Sequence, residues 1–348
     1  MIPFKQLHPL VKFAAAAVPP RTTMPLLKTL RVQCVDAHIT ITGTNLDDFA
    51  EGRVRWQRKP LPPVDVNLDA NALRHLTLTD EVEITQEGLT TKGGVHIPHI
   101  PGDFPPTAPC RAPFYYVTNL RTALRAVVYA IDPTQRHAAL RGVFWGEGSL
   151  VTTDGARLAR APIDAAPTHP PVVLSHFAAT KWARMLPESR GVQVGATRNW
   201  CWLRDVDGEA TYQWQTRLIQ SFYPDWHHVV PKELPNTYTF ERAALLKVVP
   251  NPKKPLRLCL AFEGAHLSVS ADTTPGEQTI PYIATTSTRK HKLFISARFL
   301  TEALCAMESK YVTVHLKGGH HPVVLTPRGS RSPYDDYHII MPMDARAL

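Results

Sequence analysis

Cysteine is scarce and scattered. The five in 348 residues (Cys34, Cys110, Cys201, Cys259 and Cys305) are odd in number and form no C-x-x-C. That spacing argues against a disulfide framework or a zinc site and suits a reducing compartment. Long apolar runs are also missing: no stretch approaches the ~18 residues of a membrane span. The short run 13–18 faintly resembles a leader, but Lys12 interrupts it and Pro19-Pro20 ends it. The expectation is a soluble, cytoplasmic protein with no membrane attachment. Neither a phosphate loop nor G-x-S-x-G occurs.

Histidine is plentiful, yet its placement does not suit a metal. His96 and His99 lie three apart on an expected strand and point to opposite faces, and the pairs His227-His228 and His320-His321 diverge if extended. Asp154, Asp225 and Asp335-Asp336 could be assembled into a carboxylate site, but all fall at turns, where Asp serves the backbone. No catalytic residue, metal or cofactor is expected.

What is present is length and positive charge. A chain of 348 residues exceeds one ordinary core, so two or three domains are expected. A net charge of +9 and a pI near 9.4 point to a polyanionic partner, nucleic acid first.

The organising stretch is 149–161, S-L-V-T-T-D-G-A-R-L-A-R-A. Its alternation reads as a half-buried strand, and Asp154-Gly155 reads as a two-residue hairpin turn. Around it, one order of elements repeats three times. A short helix at 9–18 precedes strands at 30–34, 38–42 and 52–56; a second at 68–76, capped by Asp69, precedes strands at 81–85 and 89–100. The unit restarts with a helix at 119–131, strands at 142–145 and in the hairpin, a helix at 175–186, and strands at 191–194, 200–203 and 212–219. The third copy has a helix at 240–249, strands at 256–262, 266–270 and 279–283, a helix at 296–307, and strands at 311–316, 322–326 and 337–341. Matching strands recur about every 110–120 residues, a period of whole domains rather than of a solenoid. The expected fold class is α+β with three similar domains, residues 1–112, 113–233 and 234–348.

Each of the six helices carries a basic residue: Lys12; Arg74; Arg121 and Arg125; Lys181 and Arg184; Arg242 and Lys247; Arg298. Together with Arg21 they form the candidate DNA-binding set. Such charges would hold phosphates without reading bases. No element reads as a major-groove recognition helix.

The order of motifs resembles the bacterial replicative sliding clamp, the β subunit of DNA polymerase III. Arg21-Thr22-Thr23-Met24-Pro25-Leu26-Leu27, Gly102-Asp103-Phe104-Pro105, Leu140-Arg141-Gly142-Val143-Phe144, Thr153-Asp154-Gly155-Ala156-Arg157-Leu158, Tyr223-Pro224-Asp225-Trp226 and the Met341-Pro342-Met343 ending are similar to that family's in order and separation. The resemblance implies a ring of two chains joined head to tail, with helices lining a hole for duplex DNA. It also implies a processivity factor, not an enzyme, that tethers a polymerase catalytic subunit and meets a clamp loader. A partner groove carries over to Leu140, Thr153, Gly155, Arg157, Leu158, Pro224, His228, Val229, Ile339, Met341, Pro342 and Met343. Leu158, Val229, Ile339 and Met341 would be its apolar floor and Arg157 a hydrogen-bonding wall, with methionines that adapt to short peptides ending in Leu and Phe.

Departures from the pattern are specific. Ala156 stands where the family often has His, His228 where Arg is common, the 240–249 helix runs early into Pro250-Asn251-Pro252, and the tail continues through 344–348. Two other classes fit parts of the chain: a monomeric clamp-like regulator and a nucleic-acid-modifying enzyme built on Asp and His.

Overall fold

A computed structural model describes residues 1–57, 61–165, 167–188, 190–249, 256–271, 274–287, 289–328 and 336–344. Pro250-Asn251-Pro252, Asp335 and the last four tail residues lie outside the described residues. Six α-helices occur among the described residues: α1 (Phe4–Ala14), α2 (Ala70–His75), α3 (Leu120–Val127), α4 (His176–Met185), α5 (Arg242–Val248) and α6 (Ala297–Ala306). Contacts gather into two compact units. One comprises Met1–Leu120, Ala165–Lys181 and Met185–Leu218; the other comprises Arg121–Asp164, Trp182–Arg184 and Ile219–Leu348.

In the first unit an eight-stranded sheet runs in the order Val64–Asp69, Thr29–Val35, His38–Thr44, Asp48–Arg55, Ala210–Arg217, Trp200–Asp207, Val192–Ala196, Tyr115–Val117. A second sheet joins Ile2–Pro3, Glu81–Thr85, Gly88–Thr91 and His96–Pro98. The core between them is filled from α1 by Phe4, Leu7, Leu10, Val11 and Ala14, spaced on one helical face. That face explains a displacement from expectation. The helix starts five residues before Pro9 and holds it internally, because the apolar stripe begins at Phe4. It closes at Ala14, after which Ala16, Ala17 and Val18 bond back three residues in a tightened turn. Its close approach to the sheet needs glycine: a Cβ on Gly43 would sit 2.2 Å from the Ala14 carbonyl oxygen.

In the second unit one sheet includes, in order, Gly142–Gly146, Ser149–Thr153, Arg157–Pro162, Tyr337–Ile340, Val323–Pro327, Tyr311–Leu316, Asn236–Glu241 and Ala284–Thr285. A four-stranded sheet orders Thr274–Pro281, His266–Ala271, Arg257–Glu263 and His291–Ser296. Phe240, Phe262, Leu258, Ile295, Leu300 and Leu304 fill the core against α5 and α6. Asp69 and Ser296 cap α2 and α6 by accepting the N–H groups of Ala72 and Phe299.

Residues 113–233 are shared between the two units. The ladders explain this. Asp48–Arg55 pairs with Ala210–Arg217 from Asp48↔Thr216 to Val54↔Ala210, and Arg157–Pro162 pairs with Tyr337–Ile340. Strand pairing makes contact dense across the expected boundaries.

The turns also differ from the sequence reading. Asp154-Gly155 is not a two-residue turn: the ladder closes at Thr153↔Leu158, and of these residues only Gly155 has positive φ (+91°). Among the two-residue turns, two have both central residues at positive φ: Glu147-Gly148 (φ 54° and 67°), between Gly146 and Ser149, and Asp36-Ala37 (φ 48° and 58°), between Val35 and His38. Ala37 has a Cβ in the left-handed region, which costs about 1–2 kcal/mol. Replacement by glycine relieves that strain but widens the unfolded ensemble, offsetting part of the gain. Ala37→Gly is therefore expected to stabilise the fold by about 0.5–1 kcal/mol. An unchanged or lower urea midpoint at equal m-value would contradict it.

Candidate partner groove and basic surface

The hairpin and the C-terminal stretch, far apart in sequence, meet in the second unit. Leu158 lies opposite Ile339 and Arg157 opposite Ile340, and the Met341 N–H donates to the Ala156 carbonyl at 2.9 Å. The hairpin loop is shaped by its side chains. Asp154 Oδ1 accepts from the N–H groups of Ala156 and Arg157, both at 3.0 Å. The Thr153 hydroxyl accepts from Gly155 N–H at 3.1 Å and donates to the Arg157 carbonyl at 2.6 Å. This Asx-type wrap replaces the backbone turn that the Asp-Gly pair suggests.

Two other segments close on the same strands. Leu140, half-buried, sits in the 3-10 turn Ala138–Arg141 that opens the strand Gly142–Gly146. Gln135, just before it, donates to the Asp154 carbonyl at 2.9 Å. Tyr223 is buried with its hydroxyl 3.4 Å from the Val151 carbonyl and its ring 5.1 Å from that of Phe144, which brings exposed Pro224 alongside. Asp225 caps the 3-10 turn Trp226–Val229 through His227 N–H. The Arg160 guanidinium lies 5.9 Å from the Trp226 ring and 5.8 Å from that of Tyr337, docking this turn on the strands that meet at Leu158 and Ile339. His227 bridges Asp225 at 2.9 Å and Glu147 at 3.1 Å, and His228 approaches Asp225 at 3.1 Å. Hydrogen bonds from His227 hold the Asp225 carboxyl below its usual range.

The apolar surface offered here differs from the expected floor. Leu158 and Ile339 are buried, whereas Val229 is 44% exposed, Met341 38% and Met343 40%. Phe222, which sequence reasoning passed over, is 86% exposed two residues before Pro224. The signal was an aromatic residue in a turn-rich string, S-F-Y-P-D.

Arg157 also departs from its expected role. Its side chain is 3% exposed, so it is no open wall for a peptide. Nε meets Asp154 at 2.8 Å, one Nη meets Glu302 of α6, and the other donates to the Tyr129 carbonyl at 2.8 Å. The guanidinium is flanked by the rings of Phe299 at 4.5 Å and Tyr129 at 5.2 Å. The Tyr129 hydroxyl in turn shares a hydrogen bond with His338 Nδ1 at 2.8 Å. Burial pushes the His338 imidazole down to about 3, so it is neutral near pH 7.

The basic residues divide by environment. Lys12, Arg21, Arg184 and Lys247 are exposed, Arg121 is half-buried, and half-buried Lys181 lies 5.3 Å over the Phe177 ring. Arg74 donates to the Ala15 carbonyl past the end of α1. Arg125 approaches Glu308 at 3.9 Å, and Arg298 pairs with Glu302 at 2.8 Å. Arg242 is committed to structure: it donates to the Leu304 and Ser309 carbonyls and satisfies the end of α6. Among the described residues, no cluster of His, Cys, Asp and Glu could hold a metal ion, and no helix is long and apolar enough to cross a membrane.

Comparison with known proteins decides the fold. No family model matches the chain. The beta sliding clamp of Pseudomonas putida is 23% identical over 367 residues, covering 97% of each chain. That of Synechococcus elongatus is 24% identical over 244 residues, 64% of this chain and 63% of that protein. The crystal structure of the DNA polymerase III subunit beta from Pseudomonas aeruginosa superposes with a TM-score of 0.85 at 19% identity, over 97% of this chain and 98% of that one. The chain has the fold of the bacterial sliding clamps and is similar to one of them in sequence along its length. A sliding clamp from Bartonella birtlesii, solved bound to griselimycin, has a TM-score of 0.86 at 17% identity, covering 99% and 98% of the two chains. The clamp fold accounts for strands that dominate and helices that stay short.

Asp336, beside the Tyr337–Ile340 strand, supplies a pH test. Burial raises its carboxyl to about 6, with Arg160 offsetting part of the penalty, and Oδ1 has no protein donor. A folded value above the unfolded one means stability is fullest below about pH 4 and falls as pH rises through about 6. Asp336→Asn should flatten that slope, gaining on the order of 1–2 kcal/mol at pH 8 relative to pH 4. Denaturation at both pH values reads it; equal slopes in both proteins would refute it.

Proposed function

We propose that this protein is a DNA polymerase processivity factor, a non-catalytic clamp. In this reading two copies close head to tail into a ring around duplex DNA, each contributing three clamp domains, residues 1–112, 113–233 and 234–348. The observation that carries the reading is the match to a named sliding clamp over 97% of both chains. The meeting of hairpin, Pro224 turn and C-terminal strand supports it by gathering the motifs that the resemblance assigned to a partner groove. The polymerase catalytic subunit and the clamp loader would dock there through short apolar peptides, with Val229, Met341 and Met343 as the contact surface. Such work belongs in the cytoplasm.

Exposed cations suit the sliding role. Lys12, Arg21, Arg184 and Lys247 can follow phosphates with no preferred register, so the ring stays on the duplex yet moves along it. A monomeric regulator would share the groove but not the ring, and mass in solution separates the two.

Sedimentation across the micromolar range should show a dimer; a monomer at every concentration would remove the ring. Reversing Lys12, Arg184 and Lys247 together to Glu should shorten retention on circular duplex DNA, most clearly at low salt. Unaltered retention would place the DNA contacts elsewhere. For the groove, Met341→Ala is the cleaner probe, because Leu158 is buried and its truncation would cost about 2–5 kcal/mol of fold stability. It should weaken a polymerase-derived peptide ending in Leu-Phe about tenfold, or ~1.4 kcal/mol. Calorimetric titration with no change in affinity would place the partner site elsewhere.

A further inference from the structure

Past Ile340 the chain leaves the sheet and is stitched down at three points. Met341 N–H donates to Ala156 O at 2.9 Å, and Met343 N–H donates to Phe294 O at 2.7 Å. Arg257 Nη1 then donates to the Asp344 carbonyl at 3.0 Å. Phe294 lies in His291–Ser296 and Arg257 at the head of Arg257–Glu263, neighbouring strands of the four-stranded sheet. The Arg257 guanidinium also rests over the Phe294 ring, 5.0 Å from its centre. Residues 341–344 therefore form a strap from the hairpin loop onto a second sheet. Its alternate backbone N–H groups are bonded to the protein while both methionine side chains stay partly open to solvent.

We propose that Arg257 is a positioning residue for the partner groove. It latches the strap at its far end, so that Met341 and Met343 are already held in place when a peptide arrives. The proposal rests on the groove reading given above. The physical reason is entropic. An unlatched segment outside the sheets samples many conformations, and a partner that needs both thioethers must order it on binding. Arg257 suits the task, because a guanidinium can stack on an aromatic ring and donate to a carbonyl in one geometry. Neither Arg257 nor Phe294 belongs to a motif singled out in the sequence, and their role depends on where the strap comes to rest.

The test compares the full-length protein with Arg257→Met and Arg257→Lys. Methionine keeps an unbranched stem against Phe294 but removes the donors; lysine keeps a donor. Two readouts are taken: hydrogen exchange at the Met343 amide, and calorimetric affinity for a synthetic peptide ending in Leu-Phe. Arg257→Met should speed Met343 exchange at least tenfold and weaken the peptide about fivefold to tenfold, with the melting temperature unchanged. Arg257→Lys should recover part of both. Unchanged exchange in Arg257→Met would overturn the latch whatever the peptide does. Faster exchange with undiminished affinity would overturn the positioning role. If the wild-type protein fails to bind the peptide, the groove reading falls, and the exchange measurement still decides the latch.

Discussion

The second unit depends on one buried guanidinium. Arg157 is enclosed by Asp154 of its own loop, by the carbonyl and ring of Tyr129, and by Glu302 and Phe299 of α6, so three parts of the unit meet on it. A buried ion pair contributes little net stability compared with apolar packing, but leaving one member unpartnered costs about 3–5 kcal/mol. Its value lies in geometry. The carboxylate that receives Arg157 also receives the N–H groups of Ala156 and Arg157, so one side chain shapes the loop and anchors it to α6. Ala156 then offers its carbonyl to Met341. The placement of the C-terminal strap thus begins at a charge hidden from solvent.

Glu302 extends this arrangement to the surface. It pairs with Arg157 inside and with Arg298 outside, so a half-buried carboxylate is shared by two cations. Despite its partial burial, those partners hold its pKa below the usual carboxylate range. The hydrogen-bonded hairpin loop and the exposed face of α6 are consequently parts of one electrostatic assembly.

Much of this was legible in the chain, for reasons that are local. Asp69 is a cap because its side chain reaches an N–H three residues ahead, and the apolar face of 119–131 marks α3 because its spacing is helical. The pairing of the 153–158 hairpin with the 339–343 stretch was legible only through family resemblance. Burial was not legible. Glu302 and Tyr129 lie 145 and 28 residues from Arg157, and nothing near Thr153-Asp154-Gly155 indicates that the arginine turns inward. Pro9 misled in the opposite way: proline usually opens helices, but the stripe from Phe4 to Ala14 outweighs one missing hydrogen bond. Asp-Gly misled at 154–155 because a carboxylate, rather than two left-handed residues, makes that bend.

The long ladder between Asp48–Arg55 and Ala210–Arg217 has a consequence for biogenesis. The first strand leaves the ribosome roughly 155 residues before its partner. At about 5–20 residues per second, its outer edge stays bare for on the order of 10–30 s. A bare edge invites pairing with other nascent chains, and Glu51, Arg53 and Arg55 place charge along it during that interval. Asp48 fits the same chronology. Its buried carboxylate accepts the Trp214 indole N–H at 2.9 Å, a partner that is synthesised only 166 residues later. The charges on this strand are of the kind that keep a bare edge from pairing, and Asp48 is the one that ends buried in the finished seam.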